Sequence, residues 1–437
     1  MDSTCGKTRP GGAPIIGSLV PLLLLLLVFF SSSPAGFFVS AHKHHARGNK
    51  SNSTSWAAFR PKEELVAYTR IMARMARMEK SSNKTIRSPD GDVMYCVPLH
   101  LQPAFDHPKL RGHKPEEEPV ERPKPATGEE ADDAGLMVFP QAWTDGGESC
   151  PEGTVPVRRT TRRDVMRASS ARRFGKKSNL RRDSTSSGHE HAVGYVTGDQ
   201  FYGAKASLNV WSANVASPAE FSLSQIWVIS GSFGNDLNTI EAGWQVSPEL
   251  YGDSNPRFFT YWTTDAYQET GCYNLHCSGF VQTNNRIAIG AAISPISVYN
   301  GRQYDISLLI WKDPRRGHWW LQLGSGPLVG YWPSFLFSHL GGHANMVQFG
   351  GEVVNSRPSG SHTPTQMGSG HFPREGANRA AYFRNVQVVD WDNSLVPAAA
   401  LRLVADHPGC YDIKGGSNRA WGNYFYYGGP GRNVHCP

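Results

Sequence analysis

Beyond residue 192 the hydrophobic positions fall in short runs separated by Gly, Pro, Asn and Asp, a pattern typical of β-strands joined by turns. Only 334–340 favours a helical turn. About a dozen short strands in this part of the chain predict an all-β fold, an antiparallel β-sandwich or barrel. The clearest runs are 206–212, 225–229, 258–262, 287–293, 306–311, 319–323 and 382–389.

Residues 42–190 show a different pattern, which predicts a small preceding unit and linkers. A helix is expected over 61–79, and the Pro-rich, acidic stretch 103–133 indicates an extended linker. The stretch 158–182 holds eleven basic residues and one acidic residue. Such a run is expected to be disordered and exposed, and it is either a processing linker open to proteases or a solvated tail. The apolar side chains expected on one face of the helix are Leu65, Tyr68, Met72 and Met75.

Residues 1–41 have the features of a secretory signal peptide. The apolar run 15–30 follows Lys7 and Arg9, and it is only marginally long enough to span a membrane. Val39-Ser40-Ala41 fits the cleavage rule, and 33–35 is a second possible site. An uncleaved anchor is the alternative, but we expect no stable membrane anchor after cleavage. Sequons, which are candidate glycosylation sites in a secreted chain, occur at Asn49, Asn52 and Asn83.

The basic charge of the chain lies outside the predicted sandwich. The 437 residues have a formal net charge of +7, but residues 193–437 hold 15 Lys and Arg against 16 Asp and Glu. A nucleic-acid-binding core needs its positive charge on the folded surface, so we expect no nucleic-acid partner.

Six cysteines remain once the signal segment, which contains Cys5, is removed. An even number in a secreted chain indicates disulfides, although six cysteines permit 15 pairings. Their segregation along the chain favours Cys96–Cys150, Cys272–Cys277 and Cys410–Cys436. We expect no metal or other cofactor, since no Cys-x-x-Cys pair occurs and Gly341-Gly342 separates His339 from His343. The histidine tracts 42–45 and 189–191 are assigned to flexible segments.

Two strand-like runs each carry a glutamate inside an apolar pattern. One reads Glu241-x-Gly243-x-Gln245 and the other Gln348-x-Gly350-x-Glu352, with each set on one face of its strand. Opposed residues of an antiparallel pair have residue numbers with a constant sum, and these two motifs satisfy that rule. We therefore expect the two strands to be antiparallel and near neighbours, with the glutamates face to face and the glycines forming a floor for a peptide backbone.

Two opposed carboxylates repel each other, by up to about 1 kcal/mol even on a solvated sheet. In a dry site the repulsion is relieved when one carboxyl keeps a proton. One pKa is then raised above the usual value of about 4.3 and the other is lowered below it. The pair would then offer a proton donor and a proton acceptor for attack of water on an amide in acid. The alternative is a pair of strand-edge glutamates that face water.

Several motifs of the chain resemble the neprosin family of plant secreted proteins. They are the strand 239–246 with Glu241, Gly330-Tyr331-Trp332-Pro333, 350–353 with Glu352, and the C-terminal stretch 424–436. The N-terminal unit resembles the family's activation peptide around Cys96, 102–108 and 150–156. The resemblance runs from about residue 61 onward, and departs from the family in the acidic insert 116–133 and the long basic run.

This resemblance implies a zymogen of a glutamic peptidase that cuts after proline at acid pH on a β-sandwich. It implies a signal peptide at 1–41, an activation propeptide and processing linker at 42–190, and a catalytic domain at 191–437. Glu241 and Glu352 take the catalytic roles, one as base and one as acid. The partners implied are a proline-containing peptide or protein substrate and the chain's own propeptide as inhibitor. The implied location is extracellular, in the apoplast or an acidic secretory compartment.

Six further positions are candidates for substrate binding: Gly243, Gln245, Tyr331, Trp332, Gln348 and Gly350. Two other functions remain open at this stage. A glycoside hydrolase also uses two carboxylates, about 5–5.5 Å apart in retaining enzymes. A non-catalytic secreted module that holds proline-rich wall proteins would use the same groove.

Overall fold

The computed structural model of the chain describes residues 62–125, 141–177, 188–357 and 360–437. The predicted signal segment, the sequons at Asn49 and Asn52 and the tract 42–45 lie outside these residues. Asn83 is exposed in the turn after the first helix. Among the described residues, no helix has both the length and the apolar composition needed to cross a membrane.

The N-terminal unit consists of a helix and a small antiparallel sheet. Helix α1 (Lys62–Ser81) precedes β1 (Lys84–Arg87) and β2 (Val93–Pro98), and β3 (Thr154–Arg158) pairs with β2 to complete the sheet. On the predicted apolar face of α1, Tyr68, Met72 and Met75 are half-buried, whereas Leu65 is exposed. Cys96 of β2 forms the predicted disulfide with Cys150.

Two antiparallel sheets pack face to face and form the predicted β-sandwich. The front sheet has the order β17 (Arg402–Ala405), β4 (His189–Phe201), β14 (Ala344–Val354), β6 (Ser222–Ser230), β7 (Asn238–Val246), β8 (Arg257–Thr263) and β9 (Cys272–Tyr273). The back sheet has the order β10 (Val281–Gln282), β13 (Leu328–Trp332), β12 (Trp319–Leu323), β11 (Asp305–Lys312), β5 (Gly203–Asn209), β15 (Ala381–Val389), β19 (Gly422–Gly428) and β18 (Asp412–Asn418), and β16 (Leu395–Pro397) pairs with β15.

The core lies between the two sheets, because alternate residues of each strand face inward. Trp244 of β7 is fully buried there, and its indole N–H donates to the carbonyl oxygen of Asn209 across the sandwich at 3.0 Å. Outside the sheets lie α2 (Arg162–Arg167), α3 (Pro248–Tyr251) and a short 3₁₀ turn, Ser334–Leu336, within the predicted 334–340. The predicted disulfides Cys272–Cys277 and Cys410–Cys436 are both present.

One predicted strand is wrong. Residues 287–293 form a turn with isolated bridges, in which Ala292 pairs with Arg257 and Ile293 with Gln141. The run is apolar because Ile287, Ile289 and Ile293 enter the core, and burial alone does not make a strand.

The basic run is also not disordered over its described part. Residues 158–177 contain the end of β3, helix α2 and the 3₁₀ turn Ala171–Arg173. A capping box starts α2, since the Thr161 hydroxyl accepts from the Asp164 N–H while the Asp164 carboxylate accepts from the Thr161 N–H. Besides this cap, ion pairs with acidic residues elsewhere in the chain, such as Arg172 with Glu63 and Lys177 with Glu352, offset the repulsion between the basic side chains.

The predicted pairing of the two glutamate strands is wrong as well. Strand β6 lies between β7 and β14 and is antiparallel to both, so β7 and β14 run parallel to each other. Parallel strands keep a constant difference in residue number, and the two motifs satisfy that rule equally well. Both glutamates nevertheless lie on the same outer face of the front sheet.

We predict that Gly350→Ala destabilises the protein. Gly350 has φ +150°, and a Cβ there would overlap the carbonyl oxygen of Ala192 on β4. Backbone strain and overpacking together are expected to lower the free energy of unfolding by about 2 kcal/mol or more. Gly326→Ala is the matched control, with open space and no positive φ, and should change it by less than about 0.5 kcal/mol. Equal urea midpoints for the two variants would contradict this prediction.

Candidate active site

Three neighbouring strands bring the two glutamate motifs together. Across β6, Trp227 is aligned with both Glu241 and Gln348, and Leu223 is aligned with both Gln245 and Glu352. Each glutamate is therefore level with the other motif's glutamine, with one residue of β6 between them, and the two glutamates are diagonal to each other. The middle row contains only one long side chain, because it consists of Gly243, Gln225 and Gly350.

Both carboxylates are buried and meet at one ammonium group. The Nζ of Lys177 lies 2.8 Å from Glu352 Oε2 and 3.4 Å from Glu241 Oε2. The side chains of Glu241 and Glu352 are 0% and 1% exposed, and that of Lys177 is 6% exposed. Burial alone would lower the pKa of Lys177, but the attraction of Glu241 and Glu352 outweighs it and raises this pKa above its usual value.

Glu241 is otherwise surrounded by uncharged donors. Its Oε1 accepts hydrogen bonds from the hydroxyls of Thr239 at 2.9 Å and Tyr267 at 2.7 Å. Its Oε2 accepts from the amide of Gln225 at 2.8 Å. These three donors hold the carboxylate in one orientation.

Glu352 is surrounded by imidazoles instead. His189 Nδ1 lies 2.5 Å from Glu352 Oε1, and His191 Nε2 lies 4.0 Å from Oε2. Burial favours the protonated form of Glu352, but Lys177 and then His189 and His191 outweigh it and hold the pKa of this carboxyl well below its usual range.

The N-terminal segment that carries Lys177 is fixed against the end of the front sheet. The carbonyl oxygen of Gly175 accepts from the Tyr273 N–H of β9 at 2.7 Å, and Phe174 packs edge-on against His276. Gly175 has φ +73°, and a Cβ there would lie 2.7 Å from the His276 Cβ, so only glycine fits. This contact directs the next residues, and with them Lys177, onto the face that holds the glutamates.

A strained loop presents Tyr267 to Glu241. Ala266 and Tyr267 have φ of 54° and 64°, which is unfavourable for residues with a Cβ. The carboxylate of Asp265 accepts backbone N–H groups from 268–270 and stabilises this turn. Strain held in place by such a network is typical of functional sites.

Four of the six candidate substrate-binding residues lie on this face. Gln245 donates to the Tyr251 hydroxyl at 3.1 Å, and Gln348 is half-buried with its amide 3.1 Å from the Met346 sulfur. Gly243 and Gly350 flank Gln225 as described above. A Cβ on Gly243 would overlap the carbonyl oxygen of Ser224, so this glycine is required by strand packing.

Tyr331 and Trp332 are not near the glutamates. Both lie on β13 of the back sheet, on the other side of the core. Tyr331 faces outward and its hydroxyl accepts from the Glu116 N–H, whereas Trp332 is fully buried against Phe280. The interpretation failed because sequence order between the two glutamates does not imply proximity to them.

The residues that sequence reasoning missed are Lys177, His189, His191, Gln225 and Tyr267. Lys177 and the histidines were assigned to flexible linkers. Gln225 could have been noticed in the sequence, because it is a polar residue in the otherwise apolar predicted strand 225–229.

Among the described residues, one cluster has the spacing of metal ligands, formed by His362 with Cys410 and Cys436. The two sulfurs are joined in a disulfide, and the His362 imidazole binds the carboxylate of Glu190 at 2.9 Å. This cluster therefore does not offer three free ligands.

Comparisons with known proteins identify two family matches. Residues 218–430 match the family model for Neprosin, and residues 85–195 match the family model for Neprosin activation peptide. Among solved structures, the chain is similar to Scytalido-glutamic peptidase with a peptide-based transition state analog, at 14% identity and TM-score 0.29, over 55% of this chain and 97% of that chain. SCP-B, a member of the Eqolisin family of peptidases in complex with the tripeptide Ala-Ile-His, matches at 13% identity and TM-score 0.27, over 55% of this chain and 96% of that chain.

We predict that Lys177→Gln destabilises the full-length chain mainly at neutral pH. Without the ammonium group, two buried carboxylates face each other, and the loss is expected to be about 3–5 kcal/mol. The pKa of Glu352 is lowered in the folded chain, so its stabilising contribution is present above the unfolded pKa of about 4.3 and is lost as pH falls further. The difference in the free energy of unfolding between wild type and Lys177→Gln should therefore become smaller as the pH falls below about 4.

Urea unfolding at pH 7 and at about pH 3 measures this difference, on chains that gel electrophoresis shows to be intact. Lys176→Gln is the matched control, because the neighbouring ammonium is paired with Glu269, whose side chain is 76% exposed. An equal loss for Lys177→Gln at both pH values would contradict the prediction.

Proposed function

The chain belongs to the neprosin family of glutamic peptidases and carries that family's activation peptide, and we propose that it is a secreted zymogen whose mature enzyme cleaves after proline in acid. One observation carries this proposal. Two buried carboxylates share one sheet face, and the counter-charge between them comes from the N-terminal segment. A site that needs its cation removed before water and substrate can enter has the properties of a latent enzyme.

Hydrolysis at this site needs one ionised and one protonated glutamate. The ionised carboxylate takes a proton from water as the water oxygen bonds to the scissile carbonyl carbon. The protonated carboxyl donates to the carbonyl oxygen and stabilises the oxyanion of the tetrahedral intermediate. The C–N bond then breaks, and the leaving nitrogen takes the proton that came from water. No cofactor enters these steps.

The surroundings of the pair suit a proline-containing peptide. Around the glutamates, the outer face of the front sheet has an aromatic surface that includes Trp227, Tyr261, Tyr267 and Tyr273. Aromatic side chains pack well against the flat pyrrolidine ring. Gln245, whose buried Oε1 makes no hydrogen bond within the described part of the chain, and the half-buried Gln348 remain our candidates for binding peptide groups of the substrate.

The N-terminal unit has the contacts expected of an inhibitor bound in the same chain. Asp92 lies 2.5 Å from the guanidinium of Arg257, a residue of β8 that is 0% exposed. The side-chain amide of Gln102 donates to the Gln282 carbonyl oxygen at 2.9 Å and accepts from the Gln282 backbone N–H at 2.8 Å. The predicted extended linker 103–133 is wrong at its start, where Pro103–Asp106 form a 3₁₀ turn. Further along this stretch, the Val120 N–H donates to the Asp313 carboxylate after β11.

Activation requires that Lys177 leave while β4 stays, because β4 is paired on both sides in the front sheet. A cut between Lys177 and His189 meets both requirements. This interval includes the dibasic pair Arg181-Arg182. Secretion into an acidic extracellular compartment would supply the proton that one carboxyl needs.

We predict that the acid-treated full-length chain cleaves a proline-containing peptide on the carboxyl side of proline. Glu241→Gln and Glu352→Gln should each lower kcat/KM by about 10²-fold or more, because each removes a proton-transfer group. Mass spectrometry of the products gives the cleaved bond, and a matched peptide with alanine in place of proline tests specificity.

Glu269→Gln is the control variant, since this exposed glutamate makes only surface contacts. Unchanged proteolysis by Glu241→Gln would refute the assignment. Release of sugars from glucans without cleavage of peptides would favour a glycoside hydrolase, and binding of proline-rich proteins without cleavage would favour a binding module.

A further inference from the structure

The two glutamates are not equivalent once the pro-segment is removed. Among the described residues, Lys177 is the one cation within ion-pair distance of Glu241. Its other partners are the uncharged Thr239, Tyr267 and Gln225. Glu352 keeps two imidazoles that belong to β4 and therefore stay in the mature sheet.

One of these imidazoles is oriented by a second carboxylate. His191 Nδ1 lies 2.9 Å from Asp406 Oδ2, and the same oxygen accepts the His191 backbone N–H at 2.8 Å. Because Asp406 binds the proton on Nδ1, the Nε2 atom is left facing Glu352, its direct cross-strand neighbour. The His191 imidazole therefore lies between two carboxylates, that of Asp406 on its Nδ1 side and that of Glu352 on its Nε2 side.

The charges around His191 favour its protonated form. The favourable charges are the carboxylates of Glu352 on β14 and Asp406 after β17. Lys177 opposes them, and the other groups that face this site are His189 on the same strand, His407 beside Asp406 and the uncharged Trp227 on β6, which packs edge-on. Burial acts against the charged imidazole, but Asp406 and Glu352 outweigh it and raise the pKa of His191 above its usual value. Departure of Lys177 removes a positive charge and strengthens this preference.

We propose that His191, oriented by Asp406, acts with His189 as a positioning residue that keeps Glu352 ionised in acid, which makes Glu352 the general base. This inference rests on the proposed peptidase function. Glu352 then takes the proton from water and later gives it to the leaving nitrogen. Glu241, which has no imidazole partner among the described residues, takes the other role and supplies the carboxyl that donates a hydrogen bond to the oxyanion.

The surroundings of Glu241 can accept that proton. Gln225 Oε1 is buried and makes no hydrogen bond within the described part of the chain, while Gln225 Nε2 faces Glu241. Rotation of this amide by 180° would turn its oxygen toward Glu241, where it would accept a hydrogen bond from the protonated carboxyl. The reverse assignment would place a neutral carboxyl beside the His191 imidazole, whose pKa is raised above its usual value, which is electrostatically unfavourable.

An NMR titration of the full-length chain tests the coupling without requiring activity. The chain carries Glu241→Gln to prevent self-cleavage and ¹³C-labelled histidine, and His191→Gln identifies the signal. Adding Asp406→Asn or Glu352→Gln should each lower the pKa of His191 by about 1 unit or more. The matched control is Asp236→Asn, which removes the partner of His339 in another His–Asp pair of 2.9 Å and should leave the His191 pKa unchanged. An unchanged His191 pKa in the Glu352→Gln chain would overturn the proposal.

The pH dependence of kcat in the acid-processed chain tests the assignment of roles. His191→Gln raises the pKa of Glu352, so the loss of activity on the acid side should move to higher pH by about 1 unit, with KM nearly unchanged. Asp406→Asn should shift this acid-side loss of activity in the same direction by less, and Asp236→Asn should not shift it.

If His191→Gln and wild type are both active and lose kcat at the same acidic pH, the inference is overturned and the proposed function still stands. A wild-type chain without peptidase activity would refute the proposed function, and the titration would still support or overturn the coupling.

Discussion

Two negative charges buried on one sheet face require a positive charge, and in this chain Lys177 supplies it. The carboxylates of Glu241 and Glu352 are almost completely removed from water, and a charge in such a place is stable only if it is paired. The pairing links distant parts of the molecule, because the cation belongs to the N-terminal segment and the carboxylates to the front sheet. The same ionic contact therefore contributes to the folding of the precursor and keeps substrate out of the site.

The sandwich contributes by holding the two glutamates at fixed positions on three adjoining strands. Strand β6 separates them, and the glycines on either side of Gln225 allow the strands to approach closely. The site is therefore built on regular secondary structure, which places side chains more accurately than loops do. Tyr267 is the exception, and the hydrogen bonds of Asp265 restrain its loop.

Much of the fold could be predicted from the sequence, because strand periodicity and turn residues are local signals. The same signals placed Glu241 and Glu352 on one face, since alternation along a strand decides which residues share a side. These local signals did not reveal the strand order. The motifs Glu-x-Gly-x-Gln and Gln-x-Gly-x-Glu fit an antiparallel pair and a parallel pair equally well, and nothing in either motif indicates that β6 lies between the two strands. Lys177 and His191 were missed because their composition is that of a linker, and only the tertiary contacts of Gly175 and Asp406 bring them to the site.

The disulfide pattern determines whether the two fragments stay together after proteolysis. Cys96–Cys150 lies entirely before Lys177, and the other two bridges lie entirely after His189, so no covalent bond would join the two products of a cut between them. In the intact chain the inhibitor is held at a high effective concentration, of millimolar order for short flexible connections. After the cut, rebinding becomes bimolecular and depends on dilution. Release into a large extracellular volume would make activation one-way, whereas a crowded vesicle would allow the severed segment to rebind.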